Sequence, residues 1–207
     1  FLSRCPGHVG EWLALTGETI GAGDAIAFGL ADGCLPAAQQ AAVWDAIATQ
    51  PFADGAAIEA FIKAKFVAAS ADHASLRAQI DHYFSLPTVR DIVQALEAAD
   101  SDWARATAAT LRRRSPLMLH VVLEQIRRAR QLGLADDLRM ERDIVRHCFF
   151  LRPGQSETVE GIRALAIDKD QQPRWNPPRI EDVTPEMWQP FFESPWPAWA
   201  HPLRMLS

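Results

Sequence analysis

The chain has 207 residues, of which 48% are hydrophobic and 23% charged, enough for one sizeable globular domain or a large piece of a bigger protein. A formal charge of -5 argues against a general nucleic-acid binder, whose surface has to neutralise many phosphates, but leaves room for one anionic molecule held by a local basic patch. No apolar run approaches bilayer-spanning length, and the first residues lack the basic-then-apolar layout of a signal peptide.

Phe1 stands where a translated chain would carry Met, so a segment upstream of it is expected. Residues 1–36 read as a helix end, a short helix over 10–15, a Thr16-Gly17 turn, and a second helix over 22–28 stopped by Gly29. The small, alanine-rich run from Asp24 to Gly29 allows a neighbouring element to pack closely, and Leu13, Leu15 and Ile20 are core candidates. Gly21-x-Gly23 supplies two glycines of a dinucleotide fingerprint. Ile26 takes the third position and no strand precedes it, which rejects that reading.

Residues 37–69 are alanine-rich and helical, with a break over 51–55. Asp72 is placed to cap the next helix, which carries Leu76, Ile80 and Phe84 at four-residue steps before Pro87 ends it. Thr88 opens a helix over 89–99 with Ile92, Val93 and Leu96 as its apolar stripe. His73 and His82 read as surface or packed histidines rather than ligands. Cys5, Cys34 and Cys148 lack C-x-x-C spacing or a histidine at metal-ligand spacing, so no metal site is expected and a reducing, cytoplasm-like compartment is.

Ser101 or Asp102 starts a helix ending in Arg112-Arg113-Arg114, cations suited to the negative end of its dipole and read as a solvated cap rather than a phosphate site. Ser115-Pro116 follows as N-cap and first-turn proline. Leu119, Val122, Leu123 and Ile126 then fall at i, i+3, i+4 and i+7 on one apolar face. Arg127, Arg128 and Arg130 either meet solvent or pair with Asp136, Asp137 and Glu141 of the next helix. That helix, 134–150, follows Gly133 as an antiparallel neighbour, with Leu138, Val145, Cys148 and Phe149 inward. Glu141 and Arg142 interrupt its apolar pattern, which a salt bridge or a polar contact would explain.

Ser156 is placed to cap a helix whose Glu157 and Glu160 favour the positive N-terminal end, and Val159, Ile162 and Ala166 predict one buried face. Asp168-Lys169-Asp170 follows Ile167, and Pro173, Pro177 and Pro178 prevent the helix from continuing. Physics alone describes a charged helix end and a proline-stiffened surface loop. Thr184-Pro185-Glu186 opens a short helix with Trp188, Phe191 and Phe192. The tail over 194–199 is too rich in proline to be helical, and its aromatic rings need cover on the body of the chain or on a partner.

E-G-x-R-A-x-x-I-D-K-D-x-x-P-R-W-N-P, from Glu160 to Pro177, resembles the C-terminal signature of the 3-hydroxyisobutyryl-CoA hydrolases, a branch of the crotonase (enoyl-CoA hydratase/isomerase) superfamily. Ala14-Leu15-Thr16-Gly17, Ile20, Ala22, Asp24-Ala25 and Gly29-Leu30-Ala31 are similar to the superfamily pattern that directly follows the active-site region. Ile80-Asp81, Phe84, Thr88-Val89, Ile92, the run from Arg114 to Leu119 and Leu138 to Glu141 resemble the hydrolase branch, so the resemblance covers nearly the whole chain.

The resemblance implies a mainly α chain that forms the C-terminal helical part of an α/β crotonase (ClpP/crotonase-like) fold. Residues 1–36 would end the core, 37–114 form a helical segment typical of the hydrolase branch, and 115–207 carry the signature loop and aromatic tail. It further implies hydrolysis of 3-hydroxyisobutyryl-CoA in valine breakdown, in the cytoplasm or, in a eukaryote, the mitochondrial matrix. Coenzyme A enters only as part of the substrate, with no separate cofactor.

No G-x-S-x-G elbow, H-E-x-x-H, phosphate loop or reactive Cys/His pair is present. In the family the oxyanion hole and the catalytic Glu and Asp precede the position of Phe1, so no catalytic residue is expected in this chain. The expected partners are an acyl-CoA substrate and an N-terminal half of the same protein, not nucleic acid or membrane, with a homo-oligomer left open. A cation beside an aromatic ring suits the phosphates and adenine of coenzyme A, which singles out Lys169, Arg174 and Trp175. Two rival readings are an enoyl-CoA hydratase or isomerase, and a non-catalytic helical module that packs or oligomerises through its aromatic C-terminus.

Overall fold

A computed structural model describes all 207 residues, Phe1–Ser207. The chain is helical, and its one β-type pairing is an isolated antiparallel bridge between Cys34 and Val67. Helix α1 (Val9–Thr16) is buried along almost its whole length and ends at Gly17, whose left-handed φ of 67° returns its N–H to the Leu13 carbonyl. Only glycine takes that conformation without a Cβ penalty. Helix α2 (Ala22–Ala27) is followed by Gly29, also left-handed, the residue expected to stop it.

Helices α3 (Ala37–Thr49) and α4 (Gly55–Lys63) form an arm in which Val43 alone is buried. Asp54 caps α4 by accepting the Ala57 N–H at 2.8 Å. Helix was expected to continue to residue 69. It stops at Lys63 because Val67 pairs with Cys34 instead, with the Phe66 ring lying where a side chain on Gly33 would be.

Helix α5 (Arg77–Phe84) buries Ile80 and Phe84, following a short 3-10 turn at Ala74–Leu76. Asp72 does not cap this segment, since its carboxylate accepts from Ser70. The carboxylate of Asp24, 49 residues upstream, accepts the His73 backbone N–H at 2.7 Å and meets the ring Nδ1 at 2.8 Å. Asp24 is itself buried, and these hydrogen bonds to His73 outweigh its desolvation and hold its carboxyl below the usual range. His73 is thus a packed histidine, lying against Trp12 as well.

Helix α6 (Val89–Ala98) starts at Thr88, which accepts the Asp91 N–H, and its stripe of Val89, Ile92, Val93 and Leu96 is fully buried. Helix α7 (Asp102–Arg113) is capped by Ser101. The arginines that close it, Arg112, Arg113 and Arg114, are exposed as a solvated cap would be, and two of them also make tertiary contacts. Arg112 pairs with Glu97 and Glu181, while Arg114 donates to the Thr16 carbonyl. Trp175 takes the backbone oxygen of Arg113. Tertiary acceptors have claimed groups that the dipole argument leaves to water.

Helix α8 (Pro116–Ala129), capped by Ser115, has two buried faces where the sequence suggests one. Leu119 and Leu123 join a core cluster with α1, α5, α6 and α7, while Leu117 and Val121 join a smaller cluster with Ile144, Val183 and Phe191. Its arginines ignore the next helix. Arg127 donates to the Leu86 and Pro87 carbonyls, Arg128 pairs with Glu124, and Arg130 reaches Glu11 at 2.6 Å and the Gly7 carbonyl at 2.7 Å. Glu11 is fully buried, so that pair bolts α1 to the end of α8. Removing Arg130 would leave the buried Glu11 carboxylate with only the His8 ring beside it, the costlier side of the pair to lose, since Arg130 itself is partly exposed.

Helix α9 (Leu134–Phe150) runs back antiparallel, with Gln125 meeting Glu141 and Ile144 sharing a cluster with Val121. Its inward residues are Asp143 and Ile144, while Val145 and Phe149, expected to face inward, are 50% and 43% exposed. Arg142 finds its polar contact over the Trp196 ring. The tail folds back on α9, where Asp143 meets buried His201 at 3.1 Å and Arg139 holds carbonyls of Leu203 and Leu206. That covers Trp196 and leaves Trp199 exposed.

Ile92 has no exposed surface at the centre of the larger cluster. Ile92→Ala is therefore expected to lower unfolding free energy by about 2–5 kcal/mol, read from the denaturant midpoint at constant m-value.

Candidate functional site

The stretch after α9 folds into a loop held both by its own side chains and by contacts to Ser115 and Arg113. Ser156 caps α10 (Glu157–Ile162) by accepting the Val159 N–H at 3.1 Å and donates its own hydroxyl to the Cys148 carbonyl. The helix then widens into a π-turn at Arg163–Ile167, closed by Asp168 N–H on the Arg163 carbonyl at 2.8 Å. One-turn widenings of this kind often occur at functional sites.

Glu157 and Glu160 do more than oppose the helix dipole. Glu157, 5% exposed, accepts the Ser115 hydroxyl with one oxygen and the Asn176 N–H at 2.9 Å with the other. Arg152 stands 3.9 Å from the carboxylate and donates to the Asn176 carbonyl at 2.7 Å. Burial pushes the Glu157 carboxyl up, against the opposing pull of those hydrogen bonds and of Arg152.

Glu160 binds Arg163 through both oxygens, at 2.9 and 2.8 Å, and accepts the Arg174 N–H at 2.6 Å. Foremost the Arg163 hydrogen bonds, then the Arg174 N–H, hold its carboxyl down at about 2. The same guanidinium reaches Asp168 at 2.6 Å, Asp170 at 2.7 Å and the Gln172 carbonyl at 3.1 Å. Asp170 also accepts the Gln172 N–H, and Lys169 and Gln171 take left-handed φ values of 57°. The acidic triplet thus wraps around one arginine. Sequence reasoning passed over Arg163, although its spacing from Glu160 is the i, i+3 signal of a helical ion pair.

The expected apolar stripe of this helix is reversed. Val159 is 50% exposed, Ile162 is 44% exposed and Ala166 is exposed, whereas Ala164 and Glu157 are buried. The polar side of α10 faces inward because Ser115 and Asn176 meet Glu157 there.

The candidate coenzyme A residues do not share one cleft. The Arg174 side chain borders an opening of about 360 Å³ with Phe149, Val159 and Asn176. The Trp175 indole donates to the Arg113 carbonyl at 3.2 Å and borders another, of about 510 Å³, with Arg113, Ile162 and Leu165. Lys169 is exposed and borders neither.

These clefts carry cations, an indole and apolar walls, which suits holding a ligand. They carry no nucleophile with its base. Ser115 is buried, its proton committed to Glu157 and its oxygen to the Met118 N–H. Burial raises the thiols of Cys5 and Cys148, which disfavours the thiolate form, and no cluster of three His, Cys, Asp or Glu residues could hold a metal.

The sequence model of the family described as Enoyl-CoA hydratase/isomerase matches residues 1–192. The chain belongs to that family. A small ribosomal subunit protein, mS47, of Arabidopsis thaliana is 36% identical over 199 residues, covering 93% of this chain and 48% of that protein. A probable 3-hydroxyisobutyryl-CoA hydrolase of the same organism is 34% identical over 206 residues, covering 93% and 53%. Among solved structures, a carnitinyl-CoA dehydratase from Mycobacterium thermoresistibile superposes with a TM-score of 0.81 at 33% identity, covering 95% of this chain and 54% of that one. The chain therefore spans about half the length of the relatives it matches. Membership of the family agrees with the resemblance read from the signature, and the mainly helical architecture agrees with the fold it implied.

Glu157 and Glu160 should respond to pH in opposite senses. A carboxyl raised in the folded state binds more protons there, so its stabilisation is complete below the unfolded pKa and fades as pH rises through the folded value. Glu160, held down, contributes above the unfolded pKa and loses its contribution as pH falls toward about 2. The stability deficit of Glu157→Gln is accordingly expected to shrink as pH rises above the ordinary carboxyl range, measured by denaturant titration; a deficit that grows with rising pH would contradict the assignment.

Proposed function

We propose that the chain is the C-terminal part of a crotonase-superfamily thioesterase that, as a complete protein, hydrolyses 3-hydroxyisobutyryl-CoA or a related short 3-hydroxyacyl-CoA in valine breakdown. The observation that carries this reading is the signature from Glu160 to Pro177, folded around Arg163 in a chain 34% identical to a protein named as a probable 3-hydroxyisobutyryl-CoA hydrolase. The compartment would be the cytoplasm, or the mitochondrial matrix in a eukaryote.

Hydrolysis of a thioester places negative charge on its carbonyl oxygen, which preorganised N–H donors stabilise. A carboxylate then activates water or attacks the carbonyl itself, and coenzyme A leaves as the thiol. On this reading those groups lie in the half of the fold that this chain does not span, and the chain itself supplies a wall of the acyl-CoA site.

Two features support a missing partner surface. The chain exposes 12131 Å² at 23.0 kDa, where a monomer of that mass exposes roughly 9,600 Å². Val145, Phe149, Phe150, Val159, Ile162, Leu165 and Ile167 form much of its exposed apolar surface, clustered at α9, α10 and the π-turn. The N-terminal half of the same protein is the proposed cover for this face. At least one of Lys169 and Arg174, both exposed, is proposed to approach a phosphate of the bound coenzyme A, with Trp175 bordering a separate cleft.

The complete enzyme is expected to release free thiol from 3-hydroxyisobutyryl-CoA. Loss or gain of a double bond without thiol release would replace this reading by a hydratase or isomerase. Residues 1–207 alone should show no turnover, so measurable thioesterase activity of the purified chain would overturn the placement of the catalytic groups. Reversing both charges, Lys169→Glu with Arg174→Glu, should raise KM about tenfold, the loss of one charge-assisted hydrogen bond; an unchanged KM removes both residues from the site.

The 36% identical relative named as a ribosomal subunit protein favours a second reading, in which the helices serve packing or assembly without catalysis. Concentration-dependent association of the complete protein together with no acyl-CoA binding is the result that selects it.

A further inference from the structure

The start of α6, the middle of α8 and the turn leading into α11 (Pro185–Trp188) enclose a cavity of about 350 Å³, lined by none of the signature residues. This is the size of a small-ligand pocket. His120 faces it with its ring orientation settled by the chain. Pro116 offers a carbonyl 2.9 Å from Nδ1, which therefore carries the proton, and Nε2 makes no hydrogen bond within the chain. Burial, reinforced by the nearby Arg90 cation, holds the imidazole below its ordinary pKa, so the ring presents a neutral lone pair.

Two guanidiniums line the same space without a carboxylate bonded to either. Arg127 donates to the carbonyls of Leu86 and Pro87, and Arg90 to the carbonyl of Glu181 at 2.6 Å. Backbone oxygens orient these cations but leave their charge in place. The carboxylates on the rim are engaged elsewhere, Asp91 with the Thr88 hydroxyl at 2.7 Å and Glu124 with Arg128 at 2.6 Å. Asp182, near Arg90, is paired with Arg179. With Glu124 neutralised by Arg128, the Arg90 and Arg127 cations against Asp91 leave one net positive charge, which suits a single negative charge and disfavours a phosphate dianion or a polyphosphate. Val89, Leu123 and Val183 complete the lining with an apolar floor.

We infer that this cavity binds a short aliphatic hydroxycarboxylate. Its carboxylate lies against free N–H groups of Arg90 and Arg127, a planar fork matched to two oxygens, its hydroxyl donates to His120 Nε2, and its carbon chain covers the apolar floor. Phosphate lacks the apolar part, and a simple fatty acid lacks the donor.

The inference does not rest on the hydrolase reading, because binding is measured without turnover. The purified chain is titrated with 3-hydroxybutyrate, butyrate, inorganic phosphate and coenzyme A while NMR follows the His120 ring and the Trp188 indole. Saturable shifts at both residues are expected with 3-hydroxybutyrate, with a Kd on the order of 1 mM. Butyrate should bind about fivefold more weakly, the worth of one hydrogen bond. His120→Phe should erase that fivefold difference while butyrate still binds. Arg90→Gln, a change at an exposed residue, should weaken both acids. No saturation by 3-hydroxybutyrate up to about 100 mM, equal affinity for butyrate in the unaltered chain, or preferential binding of phosphate or coenzyme A at these residues would each overturn the assignment.

Discussion

The buried carboxylate of Glu157 is the point at which three segments are joined. It takes the hydroxyl of Ser115 at the start of α8, stands in the first turn of α10, and accepts the N–H of Asn176 where the signature loop returns. Helix α8 in turn separates the two apolar clusters, so Glu157 ties the loop to the core, alongside the Trp175 bond to the Arg113 carbonyl and the Ser156 bond to the Cys148 carbonyl. A buried carboxyl without partners would be costly in this setting; satisfied on both oxygens, it specifies a single arrangement.

Arginine plays a similar part throughout. Arg4, Arg114, Arg127, Arg130, Arg139 and Arg152 each donate to a backbone carbonyl far away in sequence. Helices this short leave many terminal carbonyls without helical partners, and long multivalent side chains reach them. Charged residues that a sequence pattern assigns to the surface thereby become the cross-links between elements. Arg163 is the extreme case, since its partners Glu160, Asp168, Asp170 and the Gln172 carbonyl all come from within ten residues and fold the segment into a loop.

The apolar residues left exposed along α9, α10 and the π-turn have a matching cause. Glu157, Ser115 and the return of the loop dictate which side of α10 points inward, so the aliphatic side has to point out. On the proposed reading this is the face that the N-terminal half of the same protein would cover, and it adjoins the two clefts bordered by Arg174 and Trp175. The cavity around His120 lies within a different set of elements and is bounded by side chains already ordered by their own backbone contacts.

The sequence by itself determined the local events: the N-caps Ser101, Ser115 and Ser156, the left-handed stop at Gly17, and the stripes of α6 and the first face of α8. Caps, stops and periodicity are settled within one or two turns, so they are legible in a linear string. The signature was equally legible as a family resemblance, though not as a structure. Tertiary structure alone decided that Asp24 rather than Asp72 supports the turn at His73, that α8 is buried on two faces, and that the stripe of α10 is exposed. Those outcomes depend on acceptors contributed from tens of residues away, and no local window contains both the donor and its partner.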